Sequence, residues 1–174
     1  MNNPSDKSND TKDKFIDAYH RMLEHIQDNL KNSLEEGAPQ IKKMIDNAVE
    51  HTLEISELTK DEAQKVGDYL RRDLDDASKY LHTTQKELSD WFRFDVELVE
   101  DRIRDWFSTI TDTTRSTLDD LAQKAEMAEW HTGEITGPGT LRCDECEHDL
   151  HFHKIGHIPP CPNCRATKFH RVRE

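Results

Sequence analysis

From Phe15 onward, apolar residues recur every three or four positions: Phe15, Tyr19, Met22, Ile26, Leu30 and Leu34 form one stripe. A period near 3.6 marks an amphipathic helix that turns this stripe toward a core. Gly37-Ala38-Pro39 is expected to end that helix, with glycine placed to cap it and proline to start the next. A second helix carries Ile41, Met44, Ile45, Ala48, Thr52 and Ile55. Thr59-Lys60-Asp61-Glu62 then reads as a capping box, in which the hydroxyl and the carboxylate each accept a backbone N–H that has no helical partner. A third stripe runs through Ala63, Val66, Leu70, Leu74, Ala77, Leu81 and Leu88. It continues as Phe92, Val99, Ile103, Trp106, Ile110, Leu118, Leu121 and Ala125. One helix of that length would span roughly 100 Å. A break is therefore expected, first at His82-Thr83-Thr84, where Thr84 and Glu87 repeat the box, and next at Thr111-Asp112-Thr113-Thr114. Residues 1–14 have no apolar side chain beyond Met1 and are expected to form a disordered polar tail.

Beyond residue 130 the pattern changes. Gly133, Gly137, Pro138 and Gly139 break helical periodicity. Short extended segments follow at Thr140–Arg142, Leu150–Ile155 and Thr167–Val172, the second alternating apolar and polar residues. Leu141, Leu150, Phe152, Ile155, Ile158, Phe169 and Val172 are the apolar content of this piece. So small a set does not fold on burial alone, and a structural metal supplies on the order of 10 kcal/mol in such modules.

The cysteines provide that metal site. All four lie within 22 residues, as Cys143-x2-Cys146 and Cys161-x2-Cys164 with 14 residues between the pairs. Two such knuckles set four thiolates around one soft cation, the ligand set of a closed structural zinc site. One Zn²⁺ per chain is expected on Cys143, Cys146, Cys161 and Cys164. Disulfides would need an oxidising compartment, and Met1-Asn2-Asn3-Pro4-Ser5-Asp6 has no apolar signal region. A rubredoxin-like iron site usually places glycine after the second cysteine of each pair, where this chain has Glu147 and Arg165. A redox Cys-x-x-Cys would want a βαβ context, and none is visible.

Histidine is enriched here, with six of ten at positions 131, 148, 151, 153, 157 and 170. A catalytic zinc keeps one coordination position open, and four cysteines leave none. The histidines are therefore expected on strand faces or as donors to sulfur. No His-Glu-x-x-His pattern or nucleophile elbow is present, so no catalytic residue is assigned and no enzyme is expected.

Charge narrows the partners. Residues 1–130 hold 18 Lys and Arg against 30 Asp and Glu, a net −12, whereas residues 131–174 hold 6 of each. The acidic helices repel phosphate backbones and anionic lipids. Trp91-Phe92-Arg93-Phe94 resembles a membrane wedge, but Asp95, Glu97, Glu100, Asp101 and Asp105 follow it, so helix packing is the expected role of Trp91 and Trp106. No 18-residue apolar run is present, so no transmembrane span is expected. Arg142, Lys154, Arg165, Lys168, Arg171 and Arg173, with Phe152 and Phe169, form the one set suited to single-stranded nucleic acid, although Asp144, Glu145, Glu147 and Asp149 oppose it.

The chain resembles the bacterial YbeL-like zinc-ribbon family of unknown function. The resemblance is carried by Glu57-Leu58-Thr59, Arg71-Arg72-Asp73-Leu74, Cys161-Pro162-x-Cys164 and, above all, His131-x-Gly133-Glu134-Ile135-x-Gly137-x-Gly139-x-Leu141-x-Cys143. It covers most of residues 15–174 and implies four cysteine metal ligands and a cytoplasmic location, with no catalytic residue to transfer. The expected fold is mainly α. Acidic antiparallel helical hairpins or a coiled coil occupy 15–130, and a small β zinc ribbon occupies 131–174. The thin apolar faces favour a protein partner or a homodimer. The expected function is a non-enzymatic, zinc-binding interaction module. A nucleic-acid-associated regulator using the basic strand is the alternative, and a thiol redox or zinc-responsive switch is the second.

Overall fold

The computed structural model describes residues 4–33, 41–84 and 129–172, with side chains described over 14–29, 42–77 and 129–172. The expected breaks at residues 37–39 and 111–114, and the residues Trp91, Phe92 and Trp106, lie outside the described residues. Among the described residues, three helices precede six short strands: α1 (Pro4–Ser33), α2 (Ile41–Ile55), α3 (Lys60–Thr84), β1 (Trp130–His131), β2 (Ile135–Thr136), β3 (Gly139–Cys143), β4 (Asp149–Phe152), β5 (Gly156–His157) and β6 (Lys168–Arg171).

The apolar stripes become the core. Tyr19, Met22 and Ile26 of α1, Ile45 and Ala48 of α2, and Ala63, Val66 and Leu70 of α3 are all buried. Each helix packs against both others. Gly67 of α3 faces the Val49 side chain of α2, and a Cβ there would collide with it. The capping box forms as read: the Thr59 N–H donates to Glu62 Oε2 at 2.8 Å, and the Glu62 N–H donates to Thr59 Oγ1 at 3.3 Å.

Helix α1 corrects one expectation. It begins at Pro4, so residues 4–14 are helical where a disordered tail was read. Proline suits the first position of a helix, and extending a helix already nucleated by its apolar stripe costs little per residue. The three described helices contribute to one shared core.

The C-terminal part is an antiparallel sheet in the order β1-β6-β3-β4, with a separate two-stranded sheet of β2 and β5. Leu141 pairs with Leu150 on one side and Arg171 on the other, which fixes the register of the three longer strands. The three extended segments read from the sequence are these longer strands. Strands β1, β2 and β5 have two residues each, too short to display a period.

The two parts share side chains. Ile135 and Ile155, from the strand-rich segment, belong to the helical core. A second cluster gathers Trp130, Leu141, Ile158 and Phe169 around Cys143 and Cys161. Trp130 is fully buried beside the knuckle cysteines.

Candidate metal centre

Each knuckle is built by the same turn. The Glu147 N–H donates to the Cys143 carbonyl at 3.0 Å, and the Cys143 N–H donates to the His148 carbonyl at 3.0 Å. In the second, the Arg165 N–H donates to the Cys161 carbonyl at 2.8 Å and the Cys161 N–H to the Ala166 carbonyl at 2.9 Å. Both turns close through a left-handed residue, Glu147 at φ 59° and Arg165 at φ 64°. These are the positions where glycine would carry no Cβ penalty.

The turns bring the four expected ligands together. All four sulfurs lie within 4.8 Å of one another, and no histidine or carboxylate among the described residues joins the group. Cys143 and Cys164 Sγ are 3.5 Å apart, and Cys146 and Cys161 Sγ are 3.6 Å apart. A tetrahedral zinc with Zn–S near 2.3 Å has sulfur–sulfur edges of about 3.8 Å. The cage therefore fits that ion, and the four cysteines are free thiols. Cys143 and Cys161 are buried, whereas Cys164 faces solvent.

The surroundings favour thiolate at one rim and resist it at the other. The Asn163 side chain and the His148 N–H donate to Cys146 and hold it down to about 6. The Ala166 N–H also lowers Cys164, but the crowded Cys146, Cys143 and Cys161 sulfurs, with desolvation, push it up to about 12. Four thiols packed this closely do not all ionise without compensating positive charge, which a dication at their centre supplies.

The ribbon histidines occupy other places. His151 Nδ1 lies 3.0 Å from Thr140 Oγ1, His157 Nδ1 2.9 Å from the Gly133 carbonyl, and His170 Nδ1 2.6 Å from Asp144 Oδ1. His131 lies beside Glu129 and Glu134. His148 contributes its backbone to the first knuckle. Two of the basic set are paired with carboxylates: Arg142 with Asp149 at 2.7 Å and Lys168 with Glu129 at 3.3 Å. Arg171 departs from the grouping read in the sequence, because its side chain is fully buried.

Arg171 enters a junction that the sequence reading missed. Its centre is Asp73 on α3, a buried carboxylate. Tyr19 Oη of α1 donates to it at 2.8 Å, Trp130 Nε1 at 3.1 Å, Thr136 Oγ1 at 3.3 Å and the Gly137 N–H at 2.6 Å. Arg171 Nη2 is 3.5 Å from the same carboxylate and donates to Thr136 Oγ1 at 2.8 Å. Its Nη1 donates to the Pro138 carbonyl at 3.1 Å, and Gly139, at φ 140°, leaves the space this guanidinium needs. The Arg72 and Arg171 guanidiniums lie 4.7 and 5.3 Å from the Trp130 ring centre, within cation–π range. Arg72 also bonds Glu134 and the Ile135 carbonyl. Burial, and then the Asp73 charge, raise the Tyr19 hydroxyl well above the usual tyrosine value, so it stays a donor.

The fold and the cage define a ribbon of two Cys-x2-Cys knuckles suited to binding metal and packed on a helical layer. A family described as "Zinc-ribbon containing domain" matches residues 28–173, and the chain belongs to it. It is 24% identical over 159 residues to "Uncharacterized protein YbeL" of Escherichia coli K12, covering 91% of this chain and 96% of the relative. The same figures hold for the proteins of that name in E. coli O6:H1 and O157:H7. No solved structure matches the chain.

Proposed function

We propose that the chain is a non-enzymatic, cytoplasmic interaction module that holds one structural Zn²⁺ per chain and presents its surface to a protein partner or a second copy. The observation that carries this reading is the four-sulfur cage, with every sulfur within 4.8 Å of the others. Zinc bound there has four protein ligands and no position for substrate or activated water. Helices with one apolar face and a strongly acidic remainder suit docking against protein. Pull-down from bacterial lysate with intact and Cys161→Ser protein tests it. Partners lost with the cysteine support a ribbon-dependent contact, and identical partner sets, or none, count against it.

A thiol-based, zinc-responsive switch is the second reading, supported by the exposed Cys164 lying 3.5 Å from Cys143. Hydrogen peroxide would accept two electrons from two cysteine thiolates and two protons from solvent, forming one disulfide and two waters and releasing the metal. Metal retained under mild hydrogen peroxide, measured by native mass spectrometry, removes this reading.

A further inference from the structure

We infer that metal occupancy of the four-cysteine cage controls the stability of the helical layer, through a fixed path of contacts from the cage to α1. This rests on the metal reading above. Cys143 and Cys161 share a buried cluster with Trp130 and Phe169, so two of the four ligands pack among the same residues as the indole. The Trp130 N–H then donates to Asp73 on α3, and Asp73 accepts the Tyr19 hydroxyl of α1. A second branch starts at the other knuckle. Cys161 to Ala166 is followed, after Thr167, by β6, whose Phe169 pairs with Cys143 and whose Arg171 reaches Asp73 and Thr136.

Both branches depend on the metal for their geometry. Strands β1 and β6 pair through only two residues each, Trp130 with Phe169 and His131 with Lys168, and β6 pairs with β3 through only three, one of them the knuckle residue Cys143. So short a pairing has little stability of its own, and knuckles of this kind draw their folding energy from the metal. When the metal leaves, β6 and β1 loosen, and the Trp130 and Arg171 donors withdraw from Asp73. A carboxylate buried at the helical core then loses a large part of what compensates its charge, and α3 and α1 open with the ribbon. The helices thereby register the metal state of a site to which they contribute no ligand.

Hydrogen–deuterium exchange of the full chain, before and after excess EDTA, tests this, with native mass spectrometry counting metal in both samples. Peptides within 61–77 are expected to exchange roughly tenfold faster once metal is removed, in step with the ribbon peptides. Ribbon peptides that open while 61–77 keeps its protection would overturn the coupling and leave the metal reading standing. Purified protein that holds no metal would overturn both. Trp130→Phe keeps aromatic bulk and removes the N–H to Asp73. It is expected to bind metal normally and to show a smaller EDTA response in 61–77. A response equal to that of the unaltered protein would exclude the path through Trp130.

Discussion

Asp73 occupies a position that the helical period reserves for an apolar side chain, three residues after Leu70 and four before Ala77. It is tolerated there because donors from α1, β1, β2 and β6 converge on it. Removing one partner of such a network leaves the others buried and uncompensated. Asp73→Ala is therefore expected to cost about 3–5 kcal/mol, the range for breaking a buried charged pair. Tyr19→Phe, which deletes one hydrogen bond, is expected to cost about 1 kcal/mol. Urea unfolding of the metal-loaded proteins compares the two, and equal costs would mean that Asp73 is not the hub. At the knuckles the strain runs the other way. Glu147 and Arg165 hold left-handed backbone that glycine adopts freely. Replacing either by glycine relieves about 1–2 kcal/mol of steric cost and adds back part of it as lost chain entropy, so a net gain of about 0.5 kcal/mol is expected. The melting temperature of the loaded Glu147→Gly protein reads that gain, and a fall would show that the glutamate side chain holds the turn.

Among the elements, legibility followed length and period. The α2 boundaries and the start of α3 were readable because long stripes and a capping box act locally. The clustering of the four cysteines was readable because the Cys-x2-Cys spacing is itself local. The two-residue strands were not, since their pairing is settled by partners distant in sequence. The Asp73–Arg171 junction joins residues 98 positions apart, and only its two halves left a trace. One was a carboxylate on an apolar stripe, and the other an arginine on the same strand face as Phe169. Between α1 and α2 a stacked His25–His51 pair, with ring centres 4.5 Å apart, gives the helical layer its own pH dependence. Burial, and then the neighbouring His51, lower His25 below 6.5, against a smaller opposing effect of Asp28. The unfolded chain therefore takes up the proton first as pH falls. This contribution to stability is intact above about pH 6.5 and is lost as pH drops toward the folded value. Chemical denaturation at a neutral and a mildly acidic pH is expected to show a smaller acid loss for His25→Gln than for the unaltered protein. An unchanged loss would place the sensitivity elsewhere.

For the whole molecule, charge and burial together argue against a phosphate-binding role. The net −12 lies entirely in residues 1–130, and the remaining segment contributes equal numbers of acidic and basic residues. Nucleic-acid affinity in such a segment would depend on free cations gathered on one face. Here Arg142 is held by Asp149, Lys168 by Glu129, and Arg171 is buried against α3. A bound metal adds two positive charges to four thiolate negatives, leaving the ribbon more anionic than its formal sequence charge. Phosphate contacts at Arg142 or Lys168 would thus have to displace an existing carboxylate partner as well as overcome repulsion from the helices. Metal-loaded protein titrated into fluorescently labelled single-stranded RNA at low and moderate salt is expected to show no saturable anisotropy change up to micromolar concentrations. Saturable binding that weakens with salt would reverse this conclusion and return the exposed cations Lys168 and Arg165 to the centre of the functional question. The same charge predicts that moderate salt raises the melting temperature, because screening relieves self-repulsion among the acidic helices more than it weakens their few surface pairs.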